Sequence, residues 1–506
     1  MDEDSPTHTD KPSPTHTDKP SPLEMVDVNL HNSSKDGHSN GKVKDDEVTS
    51  KKVSPEAQDY KPFMGMKQIL KNVFVVSLAF TFLFTAFNSM ANLQTSLNKE
   101  DGVGAWSLST IYVSLIVSCM FLPNFIISRL GCKWTIPISM VGYILYMCAN
   151  FYAVKGTMIP ASIILGLGAA PLWSAKCTYL TQLGVWYAKL TKQDQDGIIN
   201  TFFGFFFLFF QTSQIWGNLI SSLVFTPDKS NGTETKQCGA SFCPEVATTN
   251  GSDNFSQTSD KVYTVCGIYL ASAVIAVIIV SIFLDRIVLD KETSEEDRKL
   301  SPKLLISTFR HLFSSPLQAM LIPITIYSGV EQAFMGGDFT KAYISCTLGI
   351  WNLGYVMICY GVADALCSIL FGRLVVYIGH IPFFIFAFIN HGALQIAFLL
   401  WSPQEGQEVI FYVCAALWGM GDAVIQTQLN ALYGHLFSDK AEAGFANYRL
   451  WESLGFAVTY AYNDYLCTDT KLYVCLGVLG TSVICYFIVE LMSWRAKKTS
   501  LDITKQ

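Results

Sequence analysis

Charge is what this sequence has least of. Only 15% of its 506 residues are Asp, Glu, Lys or Arg, while 50% are hydrophobic; a soluble domain carries roughly a quarter charged residues. The scarcity is uneven. The first 60 residues hold 13 acids and 7 bases, which alone accounts for the net charge of −6, and the remainder holds 28 of each sign. No basic excess exists for a nucleic-acid partner, and a large soluble enzyme is excluded. Catalytic signatures are missing as well. There is no Walker loop, no H-E-x-x-H, no G-x-S-x-G and no Cys-x-x-Cys, so neither catalysis nor a cofactor is expected. The first long apolar run begins only near Val73, too late for a cleaved signal peptide. Cysteine is plentiful at 14, but most of it falls in apolar segments, where it acts as a small apolar side chain.

What is present is a series of long apolar runs. A bilayer core about 30 Å thick needs about 20 residues per helix, and twelve stretches qualify: 73–93, 107–128, 134–154, 158–183, 198–225, 262–284, 316–338, 350–372, 382–402, 408–434, 441–463 and 471–493. Lys and Arg in the flanks crowd one side, including Lys61, Lys67, Lys71, Arg129, Lys133, Lys189, Lys192 and the set from Arg286 to Arg310. Positive residues stay cytoplasmic, so both termini are expected there. The loop 226–261 then falls outside, and it carries the sequons at Asn231, Asn250 and Asn254, which are glycosylated only in the lumen. In the same oxidising loop, Cys238 and Cys243 are expected to pair. Cys346 and Cys467, near outside ends of the second half, are the other candidate pair. Residues 1–60 contain SPTHTDKP twice (Ser5–Pro12 and Ser13–Pro20) and little that builds a core, so a disordered cytoplasmic tail is expected. Two histidines in that repeat, without cysteine, do not make a metal tract.

The charge-rich stretch 285–315 separates a six-span half, 61–284, from a second, 316–493, followed by a short cytoplasmic tail, 494–506. The halves echo each other. Gly166-Leu-Gly168 in span four matches Gly419-Met-Gly421 in span ten, and spans two and eight end in Ser128-Arg129-Leu130-Gly131 and Gly372-Arg373-Leu374. The latter pair resembles the loop signature of the major facilitator superfamily, without its Asp. The expected fold is therefore an all-α, 6+6 major-facilitator-like bundle of twelve transmembrane helices. The Gly-x-Gly pairs lie inside apolar helices, so they serve close helix packing rather than nucleotide binding.

A charge at mid-membrane costs roughly 2.5–3.5 kcal/mol even on the milder scales, so those that remain face the interior with a partner. They are Lys176, Glu331, Asp364, Asp422, Arg449 and Glu452. Asp422, Gln426 and Asn430 are spaced by four and share one helix face. Their depth suggests an Asp422–Arg449 or a Glu452–Arg449 pair. The first reading of this network is helix locking, the second a proton or ion relay along a transport path. Gln211, Gln214 and Asn218 in span five form a further polar stripe suited to holding helices together. The run Phe202–Phe210, with seven Phe, reads as a lipid- or helix-facing surface.

Five blocks carry a family likeness: LGLGAAPLWSAKCTYLTQLG (165–184), FFQTSQIWGNLISSLVF (209–225), YSGVEQAFMGGDFTKAYIS (327–345), WGMGDAVIQTQLNALYG (418–434) and FANYRLWESLGFAVTYAY (445–462). In this order they resemble the unc-93 protein family over about residues 60–495. The resemblance implies a plasma-membrane glycoprotein; within the family the founding member is a regulatory partner of a two-pore potassium channel, and another branch escorts Toll-like receptors from the endoplasmic reticulum to endolysosomes. It assigns no role to Lys176, Glu331, Asp338, Asp422, Gln426, Arg449 or Glu452. Three functions follow in order of expectation: a subunit modulating a potassium channel, a secondary transporter of a small molecule or ion, and a trafficking chaperone for receptors. The bilayer is the one certain partner.

Overall fold

A computed structural model describes residues 64–226, 237–244, 259–287, 310, 315–437 and 441–504. The fold is that of the body running from Tyr60 to Gln506; the tail, most of the 285–315 linker and the three outside sequons lie outside the described residues. The described part is almost entirely helical. Helix α1 is Met66–Leu97. One run, Val103–Ala149, breaks at Gly131, whose φ of 68° is left-handed, and so supplies α2 before that residue and α3 after it. Then follow α4 (Lys155–Thr191), α5 (Gln195–Phe225), α6 (Ser259–Phe283), α7 (Pro316–Ala333, continued by a π-helical stretch Phe334–Ser345), α8 (Ile350–Ile378), α9 (Ile381–Leu400), α10 (Glu408–Leu436), α11 (Ala441–Ala461) and α12 (Thr468–Thr504). Gly131, the glycine of the first signature copy, thus makes the hairpin turn that a residue with a Cβ resists.

Among the described residues ten helices are long and apolar enough to cross a membrane. The two that fall short are α7 and α11, the ones holding Glu331, Asp338, Lys341, Arg449 and Glu452. They lie against each other. Gly329 and Gly455 make this possible, because a Cβ on the first would sit 2.1 Å from the Glu452 carbonyl and one on the second 2.3 Å from that of Ile326. Such small-residue crossings let two backbones touch where no hydrophobic drive exists between helices. The expected use of Gly166 and Gly419 is the same, with Ile111 O and Tyr360 O at 2.4 and 2.5 Å from their notional Cβ atoms.

Six helices form each half. In the first, α1 packs on α5 and α6, and α4 on the α2–α3 hairpin; in the second, α8 packs on α10, α7 on α11 and α12, and α9 on α10. The halves meet along α2–α11 and α5–α8, and where α1 reaches the π stretch of α7. At the first seam Ser109 Oγ donates to Ala457 O at 2.8 Å, beside Tyr112 stacked on Phe456 with centroids 4.2 Å apart. At the third, Thr95 Oγ1 donates to Gly337 O at 2.9 Å and the Ser96 and Ser345 hydroxyls lie 3.0 Å apart. Aliphatic side chains such as Ile282, Leu366 and Ile389 are exposed and form the lipid face. At the start of the linker, Asp285 accepts from Lys71, Gln68 and Asn72 at 2.6, 2.9 and 3.1 Å. Partial burial pushes its carboxyl up, but these donors outweigh it and hold it below the usual carboxylate range.

The phenylalanine run has both faces expected of it: Phe205 and Phe207 are exposed, and Phe206 is fully buried against Phe80 and Trp173 of neighbouring helices. Two expectations are corrected here. Span seven does not end at 338, because its π stretch carries it to Ser345. Second, Cys238 and Cys243 do not pair with each other. Cys238 joins Cys346 with Cα atoms 5.6 Å apart, and Cys243 joins Cys467 at 4.2 Å. The reason is where the loop lies. Its described segment runs across the outer turns of the second half, with Gly239 at φ 79° against Pro403 and Phe242 O accepting from Thr468 N at 2.9 Å. Each cysteine is thereby set beside a different turn. This strap ties the α5–α6 loop covalently to the α7–α8 and α11–α12 turns.

The pairing is checked by inserting a protease site in the 285–315 linker. After cleavage, the halves are expected to run together on a non-reducing gel and to separate on reduction. Cys238→Ser alone keeps them joined through Cys243, and the Cys238→Ser/Cys243→Ser variant lets them part. Halves that separate without reductant would establish the intraloop pair instead.

Candidate functional site

The membrane-embedded polar residues gather in the second half in two groups. The inner group begins where α5 meets α8, with Gln211 Nε2 donating to Asp364 Oδ2 at 2.9 Å and Ser368 to Oδ1 at 3.2 Å. One turn back on α8, the Tyr360 hydroxyl donates to Asp422 Oδ2 on α10. One turn before Asp422 on α10, Trp418 Nε1 donates to Glu331 Oε2 of α7 at 2.6 Å. Gln426, one turn along α10, donates to Ser328 Oγ at 3.0 Å, and Ser328 donates to Glu452 Oε1 at 3.3 Å. Tyr448 also donates to that oxygen, at 2.9 Å, while Arg449 holds the other at 2.7 Å. Asn430 donates to the Tyr448 hydroxyl at 3.3 Å. Of the two pairs expected for Arg449, the structure has the one with Glu452.

Behind this group lies a second chain. Gln395 Nε2 donates to the Tyr327 hydroxyl at 2.8 Å, which lies 2.9 Å from His391 Nδ1, and His391 Nε2 is 3.1 Å from Trp418 O. Only a carbonyl faces Nε2, so that nitrogen carries a proton and donates to it. The His391 ring stacks on Trp418 with centroids 4.6 Å apart.

The second group sits at the strap end, on the π stretch. Lys471 Nζ bonds Asp338 Oδ1 at 2.6 Å, with both side chains 2% exposed or less, and Lys341 pairs with Asp464 at 2.5 Å. Asn463 adds a 2.8 Å bond to Asp338. A π stretch rotates side chains relative to an α-helix and recurs at functional sites. Hydropathy placed Lys341 and Lys471 at or beyond span edges, so this group was not read from the sequence. Tyr327, Tyr360, Tyr448 and Trp418 were missed for another reason: periodicity counts them as apolar, although each supplies a donor.

Lys176 stands apart in the first half. It is 1% exposed, and its ammonium lies 4.8, 5.2, 4.3 and 5.1 Å from the ring centres of Trp173, Phe203, Phe206 and Phe207. Among the described residues no carboxylate pairs with it, so cation–π attraction is its compensation. The polar stripe of α5 bridges the halves through Gln211, which donates to Asp364, and at Asn218, whose carbonyl lies 2.1 Å from a notional Cβ on Gly354 of α8; within the first half Asn218 accepts from Asn92 of α1 at 3.3 Å. Among the described residues no three His, Cys, Asp or Glu converge on a metal position.

Comparison with known proteins follows the same lines. A sequence model of the family described as "Ion channel regulatory protein UNC-93" matches residues 94–488. The chain is 48% identical to protein unc-93 homolog A of Xenopus laevis over 87% of its own length and 96% of the relative's. For the human protein of the same name the values are 46%, 84% and 94%. It is 36% identical to the "putative potassium channel regulatory protein unc-93" of Caenorhabditis elegans, across 84% of this chain and 61% of that one. Among solved structures, it resembles the nucleoside transporter NupG with a TM-score of 0.56 at 14% identity, covering 84% of this chain and 99% of that one. A D-xylose-proton symporter gives 0.56 at 12%, covering 83% and 97%. These two likenesses confirm the 6+6 major facilitator fold and nothing beyond the fold.

The two ion pairs differ in burial, and their stability effects should differ accordingly. Removing one partner of a fully buried pair costs about 3–5 kcal/mol, so Lys471→Met should lower the thermal unfolding midpoint markedly, and Asp338→Asn/Lys471→Met should recover part of the loss. Arg449→Met should cost less, because its side chain is 55% exposed and Glu452 keeps the Tyr448 and Ser328 donors. Unfolding of the purified protein in detergent, followed by tryptophan fluorescence, checks the order.

Proposed function

Because the chain belongs to the UNC-93 family, we propose that it is an accessory subunit that regulates a potassium channel, not an enzyme. The observation that carries this reading is the 36% identity, spread across 84% of the chain, to the relative named as a putative potassium channel regulatory protein, together with the family description itself. The interior polar groups accord with it. Most of the buried carboxyls and cations hold helices to one another, as a non-catalytic membrane partner requires. We place the protein in the plasma membrane with both termini cytoplasmic and Asn231, Asn250 and Asn254 glycosylated outside. The two strap disulfides fit this orientation, since they sit on the sequon-bearing loop and persist only in an oxidising compartment.

A secondary transporter is the second reading. What favours it is the 6+6 fold, together with an acidic cluster, Glu331, Asp364 and Asp422, that touches both halves through Gln211. Uptake assays separate the two: solute flux lost in Asp422→Asn would establish transport.

Two measurements test the first reading. Co-expression with potassium channels is expected to change current amplitude or gating for at least one channel that co-purifies with the chain; unchanged currents across those channels would overturn the proposal. N-glycosidase treatment is expected to raise gel mobility in steps that Asn231→Gln, Asn250→Gln and Asn254→Gln remove one by one. No shift in the wild-type chain would reverse the topology.

A further inference from the structure

Helix α12 is longer than a membrane needs. Its 37 residues, Thr468–Thr504, run about 55 Å at 1.5 Å each, and the part apolar enough to cross ends at Arg495. At that end its outward face changes character in a fixed order. Phe487, Ile488, Leu491, Trp494, Arg495 and Lys498 are all exposed, and their spacing by three and four puts them on one side of the helix. The stripe therefore passes from apolar carbon to an indole and then to two cations. From Leu491 to Lys498 is about 10 Å along the axis, enough to cross the polar layer of about 5–8 Å that borders the hydrocarbon core. Lys498 Nζ lies 5.5 Å from the Trp494 ring centre. From Trp494 to Lys498 three of the five residues are basic and none is acidic. The acid on the membrane side of this segment, Glu490, is turned toward α9, with its Oε1 2.8 Å from His380 Nε2. The next acid along the helix, Asp502, comes a further turn beyond Lys498.

We propose that this face of α12 is a binding site for an anionic phospholipid: Arg495 and Lys498 hold the headgroup phosphate, Trp494 lies at its level, and the acyl chains run along Leu491, Ile488 and Phe487.

Each part fits that occupant. A guanidinium presents paired N–H donors that match two phosphate oxygens, and an ammonium adds a point charge. An indole favours the boundary between hydrocarbon and water, with its ring among carbon and its N–H toward the headgroups. A phosphate ion from solution would need the cations alone. The apolar carbon that continues on the same face is what selects a lipid. Net negative charge on that lipid is favoured because each Lys or Arg just outside the core strengthens binding to an anionic leaflet by about fivefold. The site depends neither on the channel reading nor on which side the termini lie, because a symmetric membrane offers the same lipid to both ends of the bundle.

Native mass spectrometry of the full-length protein, released from nanodiscs that mix phosphatidylcholine with phosphatidylserine, provides the test. The wild type is expected to retain phosphatidylserine in preference, and Arg495→Gln and Lys498→Gln should each lower that preference about fivefold. Photoactivatable phosphatidylserine in the same nanodiscs is expected to label the 487–498 segment. Equal retention of the two lipids by the wild type overturns the proposal, as does a preference that the Arg495→Gln/Lys498→Gln variant keeps. Displacement of the lipid by inorganic phosphate would assign the cations to a soluble anion and overturn the lipid site. If the double variant fails to fold, the label on the wild type decides: a lipid that marks other segments and not 487–498 is bound elsewhere.

Discussion

In hydrocarbon every charged or hydrogen-bonding group must find its partner inside the protein, and the second half of this bundle is arranged around that constraint. Helices α7 and α11 carry too many polar residues to cross a membrane on their own account. They cross because they face each other. Gly329 and Gly455 bring the two backbones into contact, which sets Ser328 beside Glu452 and lets Arg449 and Tyr448 complete that carboxylate. Had either glycine a side chain, the helices would separate and the carboxylate would lose a donor.

The same constraint explains the unequal halves. The first half is held mostly by aromatic packing, with Phe80, Phe84, Trp173, Phe206 and Phe210 in mutual contact. Its one buried cation among the described residues, Lys176, is compensated by that same cluster. Compensation in the second half comes from carboxylates, hydroxyls and amides spread over six helices. The strap reinforces this half from outside by joining the α7–α8 and α11–α12 turns through one short segment of the α5–α6 loop. Those turns flank the π stretch and the Lys471–Asp338 pair, so the covalent and ionic ties fall at the same end.

Function is less sharply written than architecture. Most of the buried polar groups join helices, and a regulatory membrane partner needs no more. Glu331, Asp422 and Asp364 are the exception: among the described residues they meet neutral donors, Trp418, Tyr360 and Gln211, and no cation.

The sequence by itself determined the all-α bundle of spanning helices and the family. Each of these rests on local composition: apolar length, flanking charge and residue spacing survive in one dimension. Asp422, Gln426 and Asn430 share a face wherever the helix goes, and Glu452 reaches Arg449 because three residues separate them. Only the tertiary structure decided what lies opposite. Cys238 pairs with Cys346, 108 residues away, because the loop is laid across distant turns, and no spacing encodes that. Lys471 finds Asp338 because a π stretch extends α7 past its apolar run. Glu331 meets Trp418 of α10 and Asp422 meets Tyr360 of α8, side chains that hydropathy counts as apolar. Contacts between helices depend on rotation and depth to within a few ångström, and a pattern that specifies only which face is polar leaves both open.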